Sequence, residues 1–244
     1  MIKILLIDDE PLACDLLEEY LQDYNDVELV GRCHDGFAGL KAISELKPDL
    51  VVLDIQMPKI TGFEMLELLD EPPAIIFATA FDEYALKAFE SNAVDYLLKP
   101  FGKERFSKAL DKFCQSSESM QKPVQQMMES PDFKPSPNRV VLKDGSKIRI
   151  IPIQEIVRLE ADDDYVKICT TSGNFMKKKT LTHFENTLSS EFFVRVHRSH
   201  LLNITHVTRI DPYEKNSHVA LLKDGNKIPV SRSGFQLLRK IWNV

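Results

Sequence analysis

The sequence has no apolar run that approaches the ~18 residues a membrane-spanning helix needs. It does not begin with a basic segment followed by a long apolar core, so we expect no signal peptide. Cysteine is scarce: the chain has 4 in 244 residues, scattered and without a C-x-x-C pair. We therefore expect neither a membrane span nor a disulfide framework, but a protein of the reducing cytoplasm whose cysteines are small core or half-buried residues.

Charge is distributed unevenly along the chain, although its net value is only −6. Residues 1–120 carry 11 Lys and Arg against 24 Asp and Glu, whereas residues 121–244 carry 20 against 13. An acidic half followed by a basic half predicts two domains with different partners. A basic module attracts phosphate backbones, so the charge favours nucleic-acid binding by the second half over ordinary drift in surface charge.

Strand and helix patterns alternate over the first 115 residues. Short apolar runs predict strands at residues 4–7, 27–33, 49–54, 74–79 and 94–98. Helical spacing of apolar residues predicts helices near residues 11–24, 36–46, 63–70, 82–92 and 103–115. Five strands, each followed by a helix, predict an α/β fold with a doubly wound five-stranded parallel sheet and right-handed crossovers.

The pattern changes in a polar stretch that begins at Ser116 and is rich in Ser and Pro toward its end. We predict a first domain at 1–118, a linker at 119–137 and a second domain at 138–244. The second domain is predicted to be mostly β, with helices only near 180–190 and 231–241. Its predicted strands are 139–142, 147–150, 156–160, 165–170, 175–179, 193–196, 207–212, 217–222 and 227–230.

Charged residues follow three of the predicted buried strands: Asp8 and Asp9, Asp54, and Lys99. Because the carboxyl ends of parallel strands meet in one crevice, we expect these side chains to lie together. Hard divalent ions such as Mg²⁺ prefer oxygen ligands, and a lysine can offset the charge of a phosphoryl group. Asp54 is then a candidate nucleophile that forms an aspartyl phosphate.

Residues 1–115 resemble a response-regulator receiver domain. The segments that carry the resemblance are Leu6-Ile7-Asp8-Asp9-Glu10, Leu53-Asp54-Ile55-Gln56-Met57-Pro58, Thr79-Ala80 and Lys99-Pro100. The resemblance implies a CheY-like fold in which Asp54 accepts phosphate from a sensor histidine kinase. It also implies a Mg²⁺ ion held by Asp8, Asp9, Asp54 and the carbonyl of Gln56.

The same resemblance implies a switch around the phosphorylated aspartate. Thr79 and Lys99 sense the phosphoryl group, and Tyr96 stands where the family keeps its switch aromatic. The Lys99–Pro100 peptide bond is cis in such domains. A half-buried strand aromatic is the simpler interpretation of Tyr96 alone.

Residues 138–244 resemble a LytTR DNA-binding domain of the kind that follows receivers in LytR- and AgrA-type regulators. The segments that carry it are Ile151–Ile156, Leu159-Glu160-Ala161, Asp164-Tyr165-Val166, Phe193–Ser199 and Pro229-Val230-Ser231-Arg232. The resemblance implies double-stranded DNA contacted by loops and strand ends, with candidate residues Arg198, Arg232, His197, Lys178 and Asp163. For His197 a structural role is favoured over a base contact. The acidic turn at 162–164 either accepts from a cytosine amine at Asp163 or is solvated.

Both resemblances together imply a two-component response regulator that controls transcription and is not a metabolic enzyme. Phosphorylation of Asp54 is expected to promote a homodimer through the face formed by residues 82–110, which then binds a repeated DNA site. One alternative is a Mg²⁺-dependent phosphatase or phosphotransferase, although this class normally carries D-x-D where the chain has Asp8-Asp9-Glu10. The other is a phosphorylation switch whose basic half binds an acidic protein or RNA.

Overall fold

The computed structural model describes residues 1–80, 93–115, 138–145, 147–213 and 217–242. The chain separates into two compact units, Met1–Phe133 and Lys134–Val244. The predicted helix at 82–92 and the predicted linker at 119–137 lie outside the described residues. The predicted domain limits at 118 and 138 therefore stay predictions.

The first unit is built on a parallel sheet of five strands. They are β1 (Ile2–Ile7), β2 (Val27–Cys33), β3 (Leu50–Leu53), β4 (Ala74–Thr79) and β5 (Asp95–Leu98). Their order is β2-β1-β3-β4-β5, so the predicted five-stranded parallel sheet is confirmed. The four residues from Ile4 to Ile7 are each 0% exposed, because the apolar runs belong to strands covered on both faces.

The described helices of this unit are α1 (Pro11–Leu21), α2 (Gly36–Leu46), α3 (Gly62–Leu66) and α4 (Lys103–Gln115). Pro11 begins α1, a position where its missing N–H costs nothing. The Asp35 side chain accepts from the N–H groups of Phe37 and Ala38 and so caps α2. Thr61 and Glu64 form a capping box that begins α3.

Two helices of the first unit are shorter than the sequence predicts. The helix predicted for 11–24 ends at Leu21, and the helix predicted for 63–70 ends at Leu66. In both places the chain tightens into turns, with hydrogen bonds from Tyr24 N to Leu21 O (3.0 Å) and from Leu69 N to Leu66 O (3.1 Å). Such i→i+3 bonds satisfy the last carbonyls of a helix and end it.

The second unit is mostly β, as predicted. Its strands are β6 (Arg139–Asp144), β7 (Lys147–Pro152), β8 (Ile156–Asp162), β9 (Tyr165–Thr170), β10 (Asn174–Lys177), β11 (Phe193–His197), β12 (His200–Asn203), β13 (Val207–Pro212), β14 (His218–Leu222) and β15 (Lys227–Val230). They form three antiparallel sheets, ordered β6-β7, β10-β9-β8-β12-β11 and β13-β14-β15. Two α-helices accompany them in the described part of this unit, α5 (Leu181–Thr187) and α6 (Arg232–Trp242).

Strand β12 is absent from the sequence-based prediction. It has four residues, of which only Leu201 and Leu202 are apolar, and only two residues separate it from β11. Periodicity over so short a segment predicts nothing. Tertiary pairing decides instead, because β12 lies between β8 and β11 and bonds to both. No helix among the described residues combines the length and the apolar character of a membrane span.

A buried arginine joins two sheets of the second unit. Arg158 on β8 is 8% exposed and donates to Glu160 Oε1 (2.6 Å) and to Asp224 Oδ2 (3.0 Å) in the β14–β15 turn. Burial alone would raise the pKa of Asp224, but hydrogen bonds from Asn226 and Arg158 hold that pKa below its usual value. The contact links the five-stranded sheet to the three-stranded one.

Replacing Arg158 by Met is expected to lower the free energy of unfolding of the second unit by about 1–3 kcal/mol, because two carboxylates lose a buried donor. Urea unfolding followed by the fluorescence of Trp242, the only tryptophan in the chain, measures the loss. The difference in unfolding free energy between Arg158→Met and the wild type should become smaller below about pH 4. The pKa of Asp224 is depressed in the folded chain, so its contact with Arg158 adds stability only while the carboxylate is charged.

The matched control is Arg209→Met, which removes an exposed arginine paired with Asp211. A change within about 0.5 kcal/mol is expected there. Equal stability of the Arg158→Met and wild-type chains would contradict a structural role for the buried contact.

Candidate functional site

Three carboxylates meet at the carboxyl end of the parallel sheet. Asp8 and Asp9 directly follow β1, and Asp54 directly follows the adjacent strand β3. Their carboxylate oxygens include a set that lies within 4.8 Å of one another. The structure thus brings together the three residues that the sequence predicts as metal ligands.

Lys99 lies among these carboxylates. Its Nζ is 2.7 Å from Asp8 Oδ2, 3.3 Å from Asp54 Oδ2 and 3.1 Å from Glu10 Oε2. Burial raises the pKa of Asp8, and the contact with Lys99 opposes that rise. Burial alone would lower the pKa of Lys99, but the close contact with Asp8, the charges of Asp54 and Asp8, and the hydrogen bond to Glu10 raise it above its usual range. The ammonium is therefore firmly protonated.

Backbone N–H groups hold the other oxygen of each buried carboxylate. The N–H of Glu10 donates to Asp8 Oδ1 (3.0 Å), and the N–H of Gln56 donates to Asp54 Oδ1 (3.2 Å). Each carboxylate therefore has one oxygen fixed by the chain and the other directed at Lys99. This arrangement also sets Gln56, whose carbonyl the resemblance implies as a ligand, next to Asp54.

Thr79, the last residue of β4, has a hydroxyl with no hydrogen-bond partner in the part of the chain that the structure describes, although the residue is 0% exposed. An unmade hydrogen bond in a buried place costs about 1–3 kcal/mol. Such a hydroxyl, at the carboxyl end of the strand next to β3, suits a ligand oxygen. Tyr96 lies on the neighbouring strand, 6% exposed and paired with Phe77, and the Lys99–Pro100 bond is cis, as the resemblance implies.

These residues fit a hard divalent cation together with a phosphoryl group. Carboxylate oxygens are the ligands such cations prefer, and the buried hydroxyl and the ammonium can bind anionic oxygens. The sequence does not predict two further contributions. One is Glu10, whose carboxylate pairs with Lys99 alongside Asp8 and Asp54. The other is His34, whose Nδ1–H donates to the carbonyl of Asp8 (3.0 Å).

Gly62 is the third residue that the sequence does not identify as part of the site. A Cβ atom at this position would collide with the carbonyl oxygen of Asp54. The Gly62 N–H also donates to Ile55 O (2.8 Å), which holds the start of α3 against the chain that carries Asp54. No local pattern reveals such a constraint, because it is a contact between residues that belong to different elements.

The predicted DNA contacts gather at one end of the five-stranded sheet, which we term the contact end. Strands β10, β8 and β11 finish there, and β9 and β12 begin there. Lys178 follows β10, Asp163 lies in the β8–β9 turn, and Arg198 lies in the β11–β12 turn. The Ala161 N–H donates to Ser199 O (2.9 Å), which ties the last two turns together.

Arg232 reaches the contact end through helix α6. Ser231, directly before it, donates to Val196 O from both its N–H (2.8 Å) and its hydroxyl (2.9 Å). A Cβ at Gly234 would collide with the backbone of Val196, so glycine allows α6 to begin against β11. Arg198 and Arg232 are thus attached to the same end of β11. No ion pair or hydrogen bond from another described residue engages either guanidinium, and both residues are exposed.

The His197 ring belongs to a hydrogen-bond network with Ser199 and His200. Its Nδ1 accepts from the Ser199 N–H (3.3 Å) and lies 2.8 Å from Ser199 Oγ, which is itself 2.8 Å from His200 Nδ1. The network supports the structural interpretation of His197. Burial lowers the pKa of His200, which favours its neutral ring.

Lys178 and Asp163 lie toward the other side of the contact end. The strand predicted for 175–179 ends at Lys177, because Lys179 N bonds back to Lys177 O (2.9 Å) in a tight turn. Lys178 therefore projects beyond the strand. Asp163 has a φ of 48°, a left-handed conformation that Asp tolerates better than most residues. Both side chains are exposed.

Two family models match the chain, the response regulator receiver domain over residues 4–111 and the LytTr DNA-binding domain over residues 146–243. The sensory transduction protein LytT of Bacillus anthracis is 36% identical over 247 residues, and the match covers 100% of both chains. The transcriptional regulatory protein BtsR of Escherichia coli K12 is 35% identical over 244 residues, and the match covers 98% of both chains.

Replacing Gly62 by Ala is expected to lower the free energy of unfolding of the first unit by about 1–3 kcal/mol, because the new methyl group meets backbone that cannot yield. Urea unfolding followed by circular dichroism measures the change. Gly102→Ala is the matched control, since a Cβ there meets nothing within 4 Å. A change within about 0.5 kcal/mol is expected for it. Equal effects of the two substitutions would contradict the close approach at Gly62.

Proposed function

We propose how the two sites work, and we start from the family of the chain. It belongs to the response regulators in which a receiver domain precedes a LytTr DNA-binding domain. It is therefore a DNA-binding regulator of a two-component system, with a histidine kinase and DNA as partners. The family matches lend no support to a metabolic phosphatase, and we propose that the chain is not a metabolic enzyme. A DNA-binding regulator works where the DNA is, so we also propose a cytoplasmic location.

Asp54 is the proposed phosphoryl acceptor. A carboxylate oxygen of Asp54 attacks the phosphorus of a phosphohistidine on the kinase; the new P–O bond forms as the P–N bond breaks, and its electron pair returns to the histidine nitrogen. The proposal rests on one observation, the convergence of three carboxylates within 4.8 Å beside Lys99. We propose Mg²⁺, whose charge offsets that of the phosphoryl oxygens, as the ion held by Asp8, Asp9, Asp54 and the Gln56 carbonyl.

Lys99 and Thr79 bind the phosphoryl group in this proposal. Lys99 already lies 3.3 Å from Asp54, so a small movement transfers its ammonium from the carboxylates to a phosphoryl oxygen. The buried Thr79 hydroxyl donates to a second oxygen. When Thr79 turns toward the phosphoryl group, Tyr96 moves into the space it leaves and reshapes the face formed by residues 82–110.

At the contact end, Arg198 and Arg232 are the proposed base-reading residues, since a guanidinium can bind guanine O6 and N7 together. Lys178 is proposed to bind a phosphate, Asp163 to accept from a cytosine amino group, and His197 to support the turn through Ser199. The support is their shared position at one end of the sheet and the exposure of the two arginines.

We propose that phosphorylated chains pair through the 82–110 face, part of which lies outside the described residues. Two joined DNA-binding domains would occupy a repeated site, because the second contact becomes intramolecular and gains from effective concentration. Pairing thus turns two weak, salt-sensitive contacts into a specific one.

Incubation of the chain with Mg²⁺ and acetyl phosphate is expected to phosphorylate the wild type but not Asp54→Asn, as read on a phosphate-affinity gel. Chelation of Mg²⁺ should abolish labelling. Thr79→Val should slow labelling at least tenfold while leaving the free energy of unfolding unchanged or up to about 1 kcal/mol higher, because the buried hydroxyl has no described partner to lose.

Asp15→Asn serves as the control for this labelling, since Asp15 is an exposed carboxylate on α1 that pairs with Arg32. It should be labelled like the wild type. Undiminished labelling of Asp54→Asn would sink the assignment of the acceptor.

A DNA sequence selected by the wild-type chain from random DNA is expected to bind Arg198→Ala and Arg232→Ala at least tenfold more weakly in gel-shift titrations. Lys178→Ala should weaken selected and scrambled DNA alike and reduce the slope of log affinity against log salt by about 1. Arg209→Ala, which alters an exposed arginine of the three-stranded sheet, is the control. Binding that both arginine substitutions leave unchanged would overturn the proposed interface.

A further inference from the structure

One arginine of β11 is fully engaged by the protein. Arg195 donates from Nε to His197 O (3.0 Å), from Nη2 to Arg198 O (2.6 Å) and from Nη1 to Glu185 Oε2 (2.9 Å) on α5. Its side chain is 23% exposed, whereas Arg198 is exposed and its guanidinium makes no ion pair or hydrogen bond with another described residue. The two arginines therefore differ: the guanidinium of Arg195 binds the protein backbone, and the guanidinium of Arg198 is exposed to solvent.

The backbone that Arg195 holds is the turn that carries Arg198. Arg195 pairs with Leu201 and His197 pairs with His200, so Val196 is an extra residue and β11 is bulged there. The carbonyl of Val196 turns to Ser231 at the start of α6. Beyond the bulge, the carbonyls of His197 and Arg198 accept from Arg195. Two consecutive carbonyls of the turn thus depend on a single guanidinium.

The geometry of the contacts requires an arginine. A planar guanidinium presents several N–H groups at fixed angles, so it can reach two carbonyls and a carboxylate at once. A lysine ammonium in its place is a point charge on a flexible four-carbon stem and loses at least one of the three contacts. The ion pair with Glu185 anchors the guanidinium to α5 and leaves its other N–H groups for the turn.

We propose that Arg195 is a positioning residue for DNA recognition: it holds the turn so that Arg198 meets its base, and it does not itself touch DNA. The inference rests on the proposed contact of Arg198 with DNA and adds the group that gives this contact its geometry. A residue that only maintains the fold, or one that binds a phosphate directly, predicts different binding data.

The test is a double-mutant cycle in the full chain, with Arg195→Lys and Arg198→Ala alone and combined. Fluorescence anisotropy with a selected and a scrambled DNA duplex gives the affinities at several salt concentrations. Arg195→Lys is expected to weaken the selected duplex about tenfold, to leave the scrambled duplex within about twofold, and to keep the salt slope. In the Arg198→Ala background, Arg195→Lys should change affinity by less than about twofold, since its effect passes through Arg198.

Two further variants complete the test. Arg209→Lys makes the same change at an exposed arginine of the three-stranded sheet and should stay within about twofold of the wild type. Unchanged affinity for the scrambled duplex reports that Arg195→Lys is folded, and Arg195→Gln repeats the test with a neutral donor.

The outcomes separate the hypotheses. The positioning role would be overturned if the fold-losses of affinity in the two single mutants multiplied in the double mutant. It would also be overturned if Arg195→Gln lowered the salt slope by about 1 and still preferred the selected duplex over the scrambled one as strongly as the wild type does. Wild-type affinity of Arg195→Lys alongside weak binding by Arg198→Ala would overturn it while leaving the role of Arg198 intact. Wild-type affinity of Arg198→Ala would instead refute the proposed DNA contact.

Discussion

The ammonium of Lys99 is the contact on which the receiver site depends, because it lies between two carboxylates that have almost no access to water. Asp8 is 2% exposed and Asp54 6%, and charges so placed repel each other strongly where the dielectric is low. Lys99 offsets that repulsion, and backbone N–H groups fix the remaining oxygens. The proposed nucleophile and metal ligands can therefore be held ready in one crevice. In our proposal the ammonium of Lys99 moves from the carboxylates to the phosphoryl group, and this movement begins the conformational switch.

The second unit meets a different constraint, the presentation of side chains from the end of an antiparallel sheet. Neighbouring strands lie about 4.8 Å apart, so five strands span roughly 19 Å, more than the roughly 12 Å width of a major groove. The two arginines lie at the β11 side of the contact end, and Lys178 lies at the β10 side. These groups would therefore meet different parts of a duplex, with base reading at one side and phosphate binding at the other. The bulge at Val196 attaches both arginines to one strand.

Much of this could be predicted from the sequence, because apolar runs that end in Asp or Lys define buried parallel strands and the end at which their polar residues meet. The contacts that position those residues could not be predicted from the sequence. Gly62, Arg158 and Arg195 act on chain segments that the local pattern does not connect to them. Strand β12 was missed for the same reason, since its four residues are held by pairing with β8 and β11 rather than by their own periodicity. The outcome follows from tertiary contacts overriding local preference.

In our proposal, phosphorylation at Asp54 controls sequence-specific DNA binding by the basic unit. The decisive experiment is selection of bound sequences from random DNA by the full chain, with and without acetyl phosphate and Mg²⁺. We expect a short motif recovered twice per fragment, with half-sites separated by whole helical turns, and a marked rise in its enrichment when the phosphate donor is present. Asp54→Ala should remove that rise. Equal enrichment under all conditions, or no common motif, would refute control of DNA binding by Asp54.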